Sequence, residues 1–164
     1  MYKFKSPYDN LVKFITWGTI VILAAVLIVL AVAEPVPYWF KISMLAFFGI
    51  LIYLTYACSP SGYEIKHDFL IINRKIKPVT IAFDKITEVK IDPRAASLKC
   101  LRLFGSGGLF GFFGTFYSGR LKVHKRYITS RKNSVLIVAD KNYVISPEKP
   151  ELFVQLLQER IKKG

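Results

Sequence analysis

The stretch FITWGTIVILAAVLIVLAVA, from Phe14 to Ala33, contains 20 residues without a charged side chain. A helix of about 20 residues, rising about 1.5 Å per residue, is long enough to cross the hydrocarbon core of a bilayer. Twelve of these residues are Phe, Ile, Leu or Val, whose side chains favour insertion into a bilayer. We therefore predict a first transmembrane helix over residues 14–33. The run is longer than the apolar region of a signal peptide.

A second apolar segment follows directly. No charged residue lies between Ile42 and Cys58, and aromatic residues extend the segment back to Tyr38. The sequence EPVP, Glu34–Pro37, separates the two segments, and prolines end one helix and begin the next. The sequence therefore predicts a two-helix transmembrane hairpin, with a short external turn over residues 34–37 and a second span over residues 38–58.

The charges that flank the two segments predict their orientation. The arm over residues 1–13 carries Lys3, Lys5 and Lys13 against Asp9, whereas the turn region carries one Glu and one Lys. By the positive-inside rule the arm lies in the cytoplasm, and two spans return the chain to the same side. We therefore expect both termini to be cytoplasmic. Two cysteines in the whole chain give no disulfide framework and agree with a reducing compartment.

Residues 63–164 have the sequence pattern of a small β-domain. Apolar and polar residues alternate through short segments separated by turn residues, which indicates roughly seven strands. In RLKVHKRYI, this alternation places Leu121 and Val123 on the face opposite Lys122 and His124. The final segment SPEKPELFVQLLQERIKK has an apolar stripe at helical spacing, which predicts a C-terminal helix that covers the sheet.

Two segments, LRLFGSGGLFGFFGTFYS and SVLIVADKNYVISPEKPELFVQLL, are similar to the bacterial pleckstrin-homology-like (bacterial PH) domain membrane proteins. The resemblance implies an all-β, partly open, seven-stranded PH-like barrel with a C-terminal capping α-helix, following two spans in the bacterial inner (cytoplasmic) membrane. It implies little about activity. Phosphoinositide binding is not carried over, because the matching turn at His67 and Asp68 lacks a basic cluster.

The segment GSGGLFGFFGTF, from Gly105 to Phe116, is predicted to be an apolar, glycine-rich loop. No lysine follows its glycines as in a Walker loop, and its glycine spacing does not match a dinucleotide-binding fingerprint. Three interpretations of its apolar side chains are open: they belong to the core, they touch the bilayer or the spans, or they form a self-association surface. These side chains are Leu109, Phe110, Phe112, Phe113 and Phe116.

A basic region follows this segment. Between Asp92 and Asp140 there are 47 residues with no acidic side chain and nine Lys or Arg, which contribute strongly to the formal net charge of +13. Such a region is either a solvated face or a surface for anionic headgroups, to which each cation contributes about 1 kcal/mol. The candidate lipid contacts are Arg120, Lys122, Lys125, Arg126, Arg131 and Lys132. No recognisable motif supports nucleic-acid binding.

No pattern in the sequence indicates catalysis. The two histidines, His67 and His124, have no cysteine or carboxylate at metal-ligand spacing. We therefore expect no enzyme activity, no metal site and no cofactor. The sequence predicts a membrane-anchored, cytoplasm-facing binding or scaffold module that engages a protein partner, a second copy of itself or anionic lipid at the inner leaflet. The alternative is an accessory subunit of a membrane enzyme or transporter.

Overall fold

The computed structural model describes residues 2–162 and begins with two long helices after a short strand. Helix α1 spans Asn10–Val32 and helix α2 spans Tyr38–Cys58, with mean hydropathy reaching 2.7 and 1.7 in their most apolar windows. Both are long and apolar enough to cross a membrane. Only Val12 and Ala57 are buried within the two helices. Both lie at the ends that meet the β-domain, and the other apolar side chains of the two helices are half-buried or exposed.

Within residues 2–162, ten strands form two open sheets. The first sheet has the order β1–β2–β3–β4 and is antiparallel throughout. The second has the order β5–β9–β10–β8–β7–β6, and within it β10 runs parallel to β8. The strands are β1 (Tyr2–Lys5), β2 (Gly62–Ile65), β3 (Phe69–Asn73), β4 (Val79–Ala82), β5 (Glu88–Ile91), β6 (Leu101–Gly108), β7 (Gly111–Ser118), β8 (Lys122–Ile128), β9 (Val135–Val138) and β10 (Asn142–Ile145).

The prediction of a partly open seven-stranded barrel is therefore wrong in its strand count, and the two sheets are not closed into a barrel. One additional strand, β1, comes from the N-terminal arm and pairs with β2, for example Phe4 with Tyr63. Another, β7, lies in the segment that we expected to be a loop. The expected mostly β-domain with a C-terminal helix is confirmed, since α3 spans Pro150–Ile161.

The domain has two hydrophobic clusters. The first includes Tyr63, Ile72 and Phe113 and is covered by Phe153 and Leu157 of α3, both fully buried. The second cluster includes Phe112, Phe116, Ile128, Val144 and, from α1, Val12. Because neighbouring phenylalanines of β7 point into different clusters, the second sheet is buried on both faces over much of its area.

The predicted alternation along β8 does not by itself show which face is buried. Val123 is 57% exposed, whereas His124, on the opposite face, is 1% exposed. Apolar and polar residues do alternate along β8, but the second cluster covers the face that carries the polar residues His124 and Arg126. The reason is that the sheet has no single solvent-facing side from which the buried face could be inferred.

The glycines of β6 and β7 allow these two strands to approach closely. Gly105 lies directly opposite Gly114 in the antiparallel register, and both have positive φ, 114° and 123°. A Cβ on Gly105 would lie 2.1 Å from the Phe113 carbonyl oxygen, and one on Gly114 would lie 2.2 Å from that of Phe104. Each glycine therefore leaves the space that the opposite strand occupies.

We expect Gly114→Ala to lower the free energy of unfolding by roughly 1–3 kcal/mol, because an L side chain is strained at this φ and meets the opposite backbone. Gly119→Ala is the matched control, since a Cβ at Gly119 meets nothing within 4 Å. Thermal unfolding of the full chain in detergent, followed by circular dichroism, measures both. Equal melting temperatures for the two variants would contradict this account of the hairpin.

Candidate functional site

The carboxylate of Asp9 joins α1 to the β-domain. One oxygen accepts the backbone N–H of Val12 at 2.9 Å and so caps the helix, as aspartate does at helix N-termini. The other oxygen accepts the backbone N–H of Arg131 at 3.0 Å and lies 3.5 Å from the Nε of the same residue. The backbone N–H of Asp9 donates to the carbonyl of Thr129 at 3.0 Å. The start of α1 is therefore fixed to the loop that follows β8.

Tyr63 holds the same junction from inside the domain. Its hydroxyl donates to the carbonyl of Tyr127 at 2.7 Å, accepts the backbone N–H of Ser146 at 3.0 Å and lies 3.0 Å from the Oγ of Ser6. Ser6 in turn contacts the hydroxyl of Thr129 at 2.7 Å. Burial raises the pKa of Tyr63 above that of an exposed tyrosine. This network fixes the arm between β1 and α1 to both sheets.

The tip of the β6–β7 hairpin packs between the two helices. The backbone N–H of Phe110 donates to the hydroxyl of Thr16 in α1 at 3.0 Å. The ring of Phe110 lies 5.3 Å from that of Tyr56 in α2. Gly108 leaves room for Ile15, whose Cδ1 would lie 2.6 Å from a Cβ at that position. The hairpin thus contacts the first turns of α1 and the last turn of α2.

An open cavity of about 710 Å³ lies between the helices and this hairpin, and we call it the helix–sheet groove. One wall comes from α1 and α2, and the floor comes from β6, β7 and β8. The helices contribute Ile15, Thr19, Leu51, Leu54, Thr55 and Cys58, and the domain contributes Arg74, Arg102, Phe104, Gly105, Ser106, Gly107, Leu109, Phe113, Gly114, Thr115, Lys125 and Tyr127. The helix side of the groove is therefore mostly apolar, and the domain side carries all of its charged residues.

The charge in the groove is entirely positive. Arg74, Arg102 and Lys125 line it, and no acidic side chain within residues 2–162 does. Lys125 donates to the hydroxyl of Thr115 at 2.7 Å, and the guanidinium of Arg74 lies 5.3 Å from the centre of the Tyr127 ring. These contacts hold two of the cations at the floor. The groove can accept an anionic group whose remainder is apolar.

The six predicted basic residues do not share one surface. Lys125 lies in the groove, and Arg126 is only 2% exposed. Arg120 and Arg131 pair with Asp92 and Asp9, respectively. Lys122 and Lys132 are exposed. These residues are close together in the sequence but lie apart in the structure, because successive residues of β8 point to opposite faces of the sheet.

The five predicted apolar residues of the Gly105–Phe116 segment also lie in different parts of the structure. Phe112 and Phe116 are buried in the second cluster, and Phe113 is buried in the first. Leu109 lines the groove and Phe110 contacts α2. The three phenylalanines thus have the positions of core residues, and the two residues at the hairpin tip contact the helices.

Sequence reasoning missed two cations of the groove, Arg74 and Arg102, because they lie outside the densest basic run. It also missed an exposed apolar row at the start of the edge strand β6. Leu101, Leu103 and Phe104 are exposed, Phe104 by 80%. Their signal was present in LRLF, where three large apolar residues surround Arg102 in a strand at the edge of a sheet.

Comparison with known families agrees with this architecture. The sequence profile of the family described as bacterial PH domain matches residues 61–161. The chain belongs to the bacterial PH domain family. The bacterial PH domain begins just after α2 and ends with α3, so β1, α1 and α2 precede it. No curated protein and no solved structure matches the chain. The family assignment that the sequence resemblance predicted is confirmed.

His124 is a buried polar residue of β8, and its hydrogen bonds show which protonation state the bacterial PH domain accommodates there. Its Nδ1 lies 3.0 Å from the carbonyl of Lys122, and its Nε2 lies 3.0 Å from the Nε–H of Arg126. Arg126 can only donate, so Nε2 accepts and Nδ1–H donates, which describes a neutral ring. Burial lowers the pKa of His124, the Lys122 carbonyl partly opposes this, and the charge of Arg126 lowers it further.

Since the pKa of His124 is lower in the folded chain than in the unfolded chain, the unfolded chain takes up a proton first as the pH falls below about 6.5. We therefore expect the free energy of unfolding to decrease from pH 7 towards pH 5. His124→Gln should remove this contribution to the slope, whereas His67→Gln, at an exposed position, should retain it. Chemical denaturation across this pH range measures the slopes. An unchanged slope in His124→Gln would be inconsistent with a neutral buried ring.

Proposed function

We propose that the protein is a membrane-anchored, non-catalytic binding module that holds an anionic phospholipid in the helix–sheet groove. The observation that supports this most strongly is the division of the groove, with three cations on the domain side and aliphatic residues on the helix side. A phospholipid has the same division, with a phosphate at one end and acyl chains at the other. Membrane-interface cations each contribute about 1 kcal/mol to the attraction of anionic lipid.

The position of the groove along the helices fits a headgroup. It is bounded by Ile15 and Thr19, near the start of α1, and by Leu54 and Cys58, near the end of α2. If the two helices cross the bilayer, these residues lie at its domain-side surface. Arg74, Arg102 and Lys125 would then bind the phosphate, and Leu51 and Ile15 would contact the acyl chains. The lysines of the N-terminal arm favour the cytoplasmic leaflet.

The exposed row of β6 supports the same placement. Leu101, Leu103 and Phe104 continue from the groove along the edge of the second sheet, and Phe104 itself lines the groove. Contiguous exposed apolar side chains are unfavourable in water and mark surfaces that meet a membrane or a partner. Next to two apolar helices, they favour contact with the bilayer interface. The domain would then lie with this edge against the membrane.

Native mass spectrometry of the full chain, released from mild detergent, tests this proposal. We expect added phosphatidylglycerol to remain bound as a one-to-one adduct, while phosphatidylcholine with the same acyl chains does not. The double variant Arg102→Gln/Lys125→Gln should weaken this binding about 30-fold, from about 1 kcal/mol per cation. Lys122→Gln/Lys132→Gln, which removes two exposed charges outside the groove, is the matched control.

Equal retention of the two lipids would overturn the proposal, as would equal losses in the two double variants. Melting temperatures of both variants report whether either has lost its fold. The same spectra report copy number and any co-purified subunit. A stoichiometric partner in place of lipid would favour the accessory-subunit alternative, for which the exposed edge of β6 offers an unpaired strand.

A further inference from the structure

A second basic cavity lies away from the helix–sheet groove and shares no lining residue with it. It has a volume of about 270 Å³ and lies between the β7–β8 turn and the segment after β5. We call it the turn cavity. Its polar lining consists of Arg94, Ser97, Lys99, Ser118, Arg120 and Arg126.

Arg126 is the unusual residue of the turn cavity. Its side chain is almost completely buried, yet no carboxylate within residues 2–162 pairs with it. Its Nε–H donates to the neutral His124 and its Nη1 donates to the carbonyl of Ser97 at 2.9 Å. The guanidinium also lies 5.0 Å from the centre of the Phe116 ring. A buried charge without a counterion is costly, and these contacts hold it at the cavity wall without neutralising it.

The other cations add to this imbalance. Arg120 pairs with Asp92, whose second oxygen accepts the backbone N–H of Arg94 at 3.0 Å. Neither Arg94 nor Lys99 pairs with an acidic side chain among the described residues. Of four cations lining the turn cavity, three therefore have no counterion there. The one acidic group nearby already binds Arg120.

The two serines increase the number of available donors. The hydroxyl oxygen of Ser97 accepts the backbone N–H of Lys99, and that of Ser118 accepts the backbone N–H of Leu121, each at 3.2 Å. Each hydroxyl has one proton left to donate. The turn cavity thus presents guanidinium, ammonium and hydroxyl donors without an acidic acceptor on its lining. The charged oxygens of an ionised phosphate only accept hydrogen bonds and match this set.

We infer that the turn cavity binds a phosphate group, either free or as a phosphomonoester. This site is additional to the lipid site of the proposed function, because the two have no residue in common. Phosphate bound between Arg94, Lys99 and Arg126 would supply the missing counterion to the buried guanidinium. It would also link the segment after β5 to strand β8, and so tighten this end of the second sheet.

The test uses the full chain in phosphatidylcholine nanodiscs and a phosphate-free buffer. Isothermal titration calorimetry follows the addition of inorganic phosphate, and thermal unfolding follows the stabilisation that binding to the folded state produces. A parallel arm replaces free phosphate with nanodiscs that contain phosphatidic acid, a phosphomonoester lipid, and uses the Arg102→Gln/Lys125→Gln background, because the helix–sheet groove would itself bind this anionic lipid. We expect saturable binding in the first arm, in the second, or in both, and the arm that responds identifies the source of the phosphate.

Arg94→Gln/Lys99→Gln should weaken this binding about 100-fold, because each removes a charge-assisted hydrogen bond to the anion. Lys85→Gln/Lys90→Gln, which changes two exposed lysines elsewhere, should leave it unchanged. Arg102→Gln/Lys125→Gln should leave the binding of free phosphate unchanged, which distinguishes failure of this site from failure of the groove. No response to millimolar phosphate or to phosphatidic acid would overturn the inference, as would equal binding by Arg94→Gln/Lys99→Gln and the unmodified chain.

Discussion

This structure depends on the two contacts of the Asp9 carboxylate. One oxygen caps α1, and the other accepts a hydrogen bond from the backbone N–H of Arg131. A helix attached only through a flexible arm would move independently of the sheets, and no fixed cavity could form between them. Tyr63 reinforces the same junction by joining Ser6 to the backbone of Tyr127 and Ser146. The short arm between β1 and α1 is therefore a rigid connection.

The glycine-rich hairpin makes use of this rigid connection. Because Gly105 and Gly114 let β6 and β7 approach closely, and Gly108 leaves room for Ile15, the hairpin tip fits between α1 and α2. The groove then has helices on one side and the cations of Arg74, Arg102 and Lys125 on the other. The proposed function follows from how the hairpin holds the two walls at a fixed distance.

The features that depend on local sequence could be predicted, and those that depend on distant contacts could not. Uninterrupted apolar runs located both helices, although α1 begins at Asn10 because Asp9 caps it, four residues before the charge-free stretch. Strand β1 was missed because its partner β2 lies about 60 residues further along the chain. Arg126 was expected on a charged surface, since nothing local shows that the second cluster covers its face of β8. The groove itself combines residues from five elements, and no motif brings them together.

The most direct test of the rigid connection is solution NMR of the full chain in nanodiscs that carry a paramagnetic label at the lipid headgroup. If the hairpin is held against the helices at the bilayer surface, the amide signals of Phe104, Ser106 and Gly107 will broaden together with those of Ile15 and Thr55. Those of Asn142 and Tyr143, in the interior strand β10, will broaden much less. Broadening confined to α1 and α2, with the hairpin unaffected, would contradict the account.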